Sequence, residues 1–147
     1  MDEGNAQNGK RKYIAFTLGI EEFGIDIDKV VIIEQMKAIT RVPQTPAYIT
    51  GILNLRGDIR PIINLRKKFG LQDAEDTEDT RIIFVRVDEN VVGVVVDKVT
   101  EVVPIDSEMV EGVGFNSTIS PEYISGVGHL GGRIITLLLV ETILRIN

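Results

Sequence analysis

Cysteine and tryptophan are absent from the 147 residues, histidine occurs once, and aromatic side chains make up only 5%. Without cysteine there is no disulfide scaffold, no thiolate zinc site and no cysteine nucleophile. With one histidine, a metal site would have to be built from carboxylates alone; no metal and no cofactor are expected. Basic charge is also short. Sixteen Lys and Arg against 22 Asp and Glu leave a formal charge of −6, so the electrostatic footprint of a nucleic-acid binder is missing. Long apolar runs are missing too: residues 91–96 and 134–140 fall far short of the ~18 residues a membrane-spanning helix needs. Residues 1–12 are polar, with a short basic cluster (Lys10, Arg11, Lys12), and lack the apolar core of a signal peptide. They read as a disordered tail. A soluble, cytoplasmic protein with no direct membrane insertion is expected.

What is abundant is Val and Ile, which suits pleated strands. A chain this long buries roughly 68–70% of its unfolded surface and folds without a staple. Ile14, Phe16 and Leu18 alternate with Tyr13, Ala15 and Thr17, and Phe23, Ile25 and Ile27 alternate with Gly24, Asp26 and Asp28. Both stretches read as strands. Pro43 and Pro46 bracket a loop, and Pro46 suits the first turn of a short helix reaching Ile49. Residues 51–65 follow as two strands meeting at Arg56-Gly57-Asp58. Asn64 can cap a short helix over 65–69, stopped by Gly70. Residues 72–80 carry five acids and no large apolar side chain, which reads as a solvated loop.

After that loop the pattern starts again. Gly93-Val94-Val95-Val96-Asp97-Lys98-Val99 matches Gly24-Ile25-Asp26-Ile27-Asp28-Lys29-Val30 at an offset of 69 residues (97 − 28). Tyr123-Ile124-Ser125-Gly126 matches Tyr48-Ile49-Thr50-Gly51 at an offset of 75 (123 − 48). Leu130-Gly131-Gly132 then falls on Leu55-Arg56-Gly57, residues 134–140 fall on 59–65, and a closing helix is expected over 140–146. Each half supplies about five short strands, which suits a small closed barrel. Strands apolar on both faces imply that one face fills a barrel and the other packs on the sister barrel, giving three apolar layers.

No Ser-His-Asp or Cys-His set can be assembled, and no phosphate loop is present, so no catalytic residue is assigned. His129 aligns with Asn54 and reads as a turn or packing residue. Asp28 recurs as Asp97, which argues for a turn or capping role shared by both halves. Val30, Val31, Ile32, Ile33 and Met36 are too many consecutive apolar positions for one buried face. Either both faces are buried or one strip is exposed for a partner. Arg56 stands where the second copy has Gly131, so barrel geometry does not demand it. It reads either as an ordinary exposed arginine or as an interface anchor, whose planar fork makes several hydrogen bonds.

Several runs together carry a family resemblance. They are Phe16-Thr17-Leu18 with Phe23-Gly24-Ile25-Asp26-Ile27, and Pro46-Ala47-Tyr48-Ile49-Thr50-Gly51. They continue with Asn54-Leu55-Arg56-Gly57, Pro61-Ile62-Ile63-Asn64-Leu65-Arg66-Lys67-Lys68-Phe69-Gly70, and Val92-Gly93-Val94-Val95-Val96-Asp97. From about Tyr13 to Leu144 the chain resembles the CheW family of bacterial chemotaxis coupling proteins, whose fold also occurs in the kinase CheA and in CheV.

The resemblance implies an all-β fold of two SH3-like five-stranded barrels packed on a shared hydrophobic core, with short helices including one at the C-terminus. It implies a single CheW-like domain over residues 13–147, with barrels over 20–80 and 81–140 and the N-terminal strand crossing to the second barrel. The implied function is an adaptor or scaffold, not an enzyme, that couples chemoreceptors to the histidine kinase CheA in signalling arrays. One surface would hold the chemoreceptor cytoplasmic tip, at Val30, Ile33, Arg56, Gly57, Gly93, Val94 and Val96. Another would hold the CheA regulatory domain, at Met36 and Val42, with Phe115 at a second, ring-closing contact. Glu111 departs from the family at that contact, lying where some relatives carry a basic residue. The protein is expected to be a monomer when free, and recruited to membrane-associated arrays. The competing class is a small-ligand-binding β-barrel with an internal cavity.

Overall fold

Strand β1 (Lys10–Leu18) uses both of its faces. Ile14, Phe16 and Leu18 enter one apolar cluster, while Ala15 and Tyr13 enter another. The computed structural model describes residues 10–112 and 118–145, and this two-sided burial recurs through them. After β1 come β2 (Glu21–Asp26), β3 (Val30–Gln35), β4 (Ile49–Leu55) and β5 (Asp58–Asn64), closed by helix α1 (Leu65–Lys68). The second half runs β6 (Arg81–Val87), β7 (Asn90–Val96), β8 (Lys98–Asp106), β9 (Val110–Glu111), β10 (Ile124–Leu130), β11 (Arg133–Leu138) and helix α2 (Val140–Ile143).

The strands form two sheets. Sheet one is ordered β3-β6-β7-β5-β4, and sheet two β8-β1-β2-β11-β10-β9. Sheet one is filled by Leu53, Leu55, Ile62, Ile82, Phe84 and Val91, and sheet two by Ala15, Val103, Ile105, Ile135 and Leu137. Between them lies a shared layer from both halves, including Phe16, Phe23, Ile63, Ile83, Val94, Val96 and Val140. These are the three apolar layers expected. Each fully buried Ile, Val or Phe contributes about 1.5–3 kcal/mol, so the layers hold the fold rather than the mostly exposed ion pairs.

The sheets do not follow the division 20–80 and 81–140. The β1–β2 hairpin belongs to sheet two, where β2 pairs parallel with β11, and β6–β7 belongs to sheet one, where β7 pairs parallel with β5. Each half lends a hairpin to the other, because such a hairpin is apolar on both faces and needs cover on both. Residues 10–12 are also not tail: they pair with β8, from Lys10 opposite Asp106 to Lys12 opposite Pro104.

Local chemistry sets the turns. Arg56 and Gly57 have φ +53° and +92°, and Gly131 and Gly132 have +54° and +88°. Both pairs form two-residue hairpin turns needing left-handed backbone, which glycine adopts freely and arginine at a cost. Asn64 caps α1 through Lys67 N (3.1 Å), as its position suggests. Pro46 opens only a single turn (Ile49 N to Pro46 O, 2.9 Å), because β4 begins at Ile49. Asp28 makes no cap; Asp26 does, accepting from Asp28 N at 2.9 Å. The loop 72–80 is tied down at its start, where Arg66 donates to Gln72 O (2.8 Å) and Asn64 to Asp73 (3.1 Å).

Candidate protein-docking site

Strand β3 is an edge strand of sheet one and β8 an edge strand of sheet two. Val30 and Ile33 on β3, Ile27 just before it and Val99 on β8 are all half-buried against the shared layer. A register shift between Val30 and Ile32 turns Val31 outward, where it is 39% exposed, while Ile32 packs into sheet one. The run of apolar residues on β3 is therefore both core and surface. On β8, Val102 is 46% exposed. Each sheet thus presents an apolar rim beside the shared layer, which is the seam between the two sheets.

Val99 and Val102 are not among the residues singled out from the sequence, yet a signal for them existed. They lie 69 residues beyond Val30 and Ile33, the offset of the internal repeat. The two rims are thus repeats of one another.

Three of the expected contact residues are placed differently. Val94 and Val96 are 2% and 1% exposed and point into the shared layer. Gly93 is buried, and a Cβ there would lie 2.7 Å from Ile62 and Ile82. β7 sits at the centre of sheet one, covered on both faces, so these side chains lie in the interior of the free chain. Gly57 is exposed at the hairpin tip, and its amide donates to Asn54 Oδ1 at 2.8 Å, which locks the turn.

Arg56 is exposed, and among the described residues it makes no hydrogen bond or ion pair. The β5 and β3 pairings (Ile62 opposite Gly93, Val30 opposite Val85) place Arg56 and Val30 at the same end of sheet one, on different strands. The Asn54-Leu55-Arg56-Gly57 motif thereby reads residue by residue. Asn54 clamps the turn, Leu55 (9% exposed) fills the barrel, Gly57 supplies left-handed backbone, and Arg56 is left free. Met36 and Val42 lie on the segment from β3 to β4, Met36 half-buried on the filling of sheet one and Val42 half-exposed. Phe115 lies outside the described residues. His129 Nε2 stands 3.2 Å from Glu111 Oε1, off the line of a hydrogen bond.

Known proteins resemble this chain in sequence and in fold. The model of the CheW-like domain matches residues 12–147. The chain belongs to the CheW-like domain family. It is 42% identical over 135 residues to a chemotaxis protein CheW of Klebsiella aerogenes, covering 91% of this chain and 81% of that protein. It is 36% identical over 134 residues to a chemotaxis protein CheW of Helicobacter pylori, with the same coverage of 91% and 81%. A crystal structure of the scaffolding protein TtCheW from Thermoanaerobacter tengcongensis superposes with TM-score 0.87 at 34% identity, covering 93% of this chain and 89% of that one. The fold is therefore shared with that scaffolding protein. Among the described residues no helix is long and apolar enough to cross a membrane.

Proposed function

We propose that this protein is a non-catalytic chemotaxis adaptor that couples chemoreceptors to the histidine kinase CheA. An amphipathic helix of the chemoreceptor cytoplasmic tip lies along the seam, its apolar face on Val30, Ile33 and Val99. Such docking reads as helix-in-groove recognition, with anchors at helical spacing. Arg56 supplies charge-assisted hydrogen bonds to the partner and fixes register. The CheA regulatory domain is taken up at Met36 and Val42, with a second contact around Phe115. Receptor state then biases kinase geometry through differential binding. Contacts of this kind are micromolar, about −8 kcal/mol each, so an array adds avidity. Recruitment to the membrane follows from the receptors.

The observation that carries the reading is Arg56. It occupies a strained backbone position that glycine fills in the sister turn, and it makes no internal bond among the described residues. A residue held at such a cost without a structural return points to a partner. The barrel fillings also favour docking over an internal ligand, because side chains such as Phe84 and Ile62, both 0% exposed, occupy the space a ligand would take.

The test is Arg56→Glu. Circular dichroism and Tm are expected to stay unchanged, while affinity for a receptor cytoplasmic fragment drops at least tenfold by calorimetry, about 1.4 kcal/mol or more. Unaltered binding would remove Arg56 from the interface.

A further inference from the structure

The chain crosses between the sheets twice, and each crossing carries a charged tie. Asp97 is the single residue between β7 of sheet one and β8 of sheet two. Its Oδ1 accepts from Arg66 Nε at 3.0 Å, and its Oδ2 accepts from Gly19 N at 2.7 Å and from Arg66 Nη2. Arg66 belongs to α1, which follows β5 of sheet one, and Gly19 to the β1–β2 turn of sheet two. One carboxylate therefore ties both sheets together at the root of the β8 rim.

The other crossing runs from β2 through the one-turn helix Ile27–Lys29 into β3. There Lys29 Nζ reaches Glu141 Oε2 on α2 at 3.2 Å. Glu141 lies 75 residues beyond Arg66, and Lys98, beside Asp97, lies 69 beyond Lys29. Equivalent helices thus tie equivalent crossings with the charges reversed. The two ties differ in strength. Arg66 and Asp97 form a two-armed, partly buried pair with side chains 18% and 32% exposed, whereas Lys29 and Glu141 make one contact at 38% and 41%. Burial pushes the Asp97 carboxyl up, but Arg66 and the Gly19 amide more than offset this and hold it below its ordinary value.

The shared apolar layer holds the sheets together without direction, since hydrophobic burial rewards area and not angle. The charge-assisted bonds at the crossings, by contrast, are directional. We propose that Arg66 and Asp97, backed by the weaker Lys29–Glu141 pair, are positioning residues. They set the separation of the rim carrying Val30 and Ile33 from the rim carrying Val99 and Val102. The role in docking rests on reading that seam as the receptor site; the positional role does not.

Because the chain has no cysteine, Val31→Cys and Val102→Cys place spin labels on the two rims without background. Pulsed electron–electron distance measurement is expected to give one narrow distance in the labelled parent. It is expected to give a broader distribution with Asp97→Asn or Arg66→Lys added, and a lesser broadening with Glu141→Gln. Affinity for a receptor cytoplasmic fragment falls about tenfold in the Asp97 and Arg66 variants, while affinity for the CheA regulatory domain changes less than about twofold. Should Asp97→Asn fail to fold, Arg66→Lys, which keeps the charge and loses the fork, carries the test. Unchanged distance distributions overturn the proposal, and so does equal loss toward both partners. The distances need no partner, so broadening in a protein that binds no receptor would uphold the positioning role and sink the receptor assignment.

Discussion

Arg56 is where conformation and function pull apart. A left-handed L-residue costs roughly 1–2 kcal/mol, and glycine's extra freedom in the unfolded chain returns about 0.5–1 of it. Arg56→Gly is therefore expected to stabilise the fold by about 0.5–1 kcal/mol, a Tm rise of about 2 °C, while weakening partner binding. Thermal melts and calorimetry on one preparation check both signs, and a fall in Tm would contradict the strain argument. Gly93 poses the opposite case. Its absent Cβ would stand 2.7 Å from Ile62 and Ile82, so Gly93→Ala overpacks sheet one by about 1–3 kcal/mol. Urea denaturation should show that loss, with receptor affinity per folded molecule unaltered. Loss of affinity without loss of stability would return Gly93 to the contact surface.

Short elements carry the ties between sheets. Helix α1 spans only Leu65–Lys68, too short to be stable by propensity. It is held by the Asn64 cap and by Leu65, which is fully buried. In return it presents Arg66 to Asp97. Since the folded Asp97 carboxyl lies below its ordinary value, the stability it adds is present above the unfolded pKa of about 3.9 and is lost as pH falls through the folded value. Asp97→Asn should lower Tm at neutral pH, with the gap from the parent closing below about pH 4. A gap that stays constant with pH would show that the carboxylate's charge is not what matters. The pair is partly exposed, so the gap is small and narrows with added salt.

Interleaving is the property of the whole molecule. Sheet one draws β3, β4 and β5 from the first half and β6 and β7 from the second, and sheet two is assembled reciprocally. Neither half owns a complete core. A chain cut within the exposed stretch 72–79 should give fragments that show no cooperative unfolding alone. Mixed, they should recover strand circular dichroism and a single transition, because the parallel pairings of β5 with β7 and β2 with β11 reform. A first fragment that melts cooperatively alone would refute this dependence.

The sequence by itself determined the strands, the duplication, the three apolar layers and the turn at Arg56-Gly57. Each is written in local periodicity or in a residue type that one backbone conformation requires. Arg56 reads as exposed, while the run from Val30 to Met36 leaves core and surface open. Only the tertiary structure decided which hairpin belongs to which sheet, since a strand apolar on both faces does not name its neighbours. For the same reason Val94 and Val96 are core while Val99 and Val102 line the surface: all four are valines in strand-like runs, and what separates them is a central strand against an edge. The Arg66–Asp97–Gly19 tie was equally illegible, because it joins residues 31 and 78 positions apart that meet only once the sheets have packed.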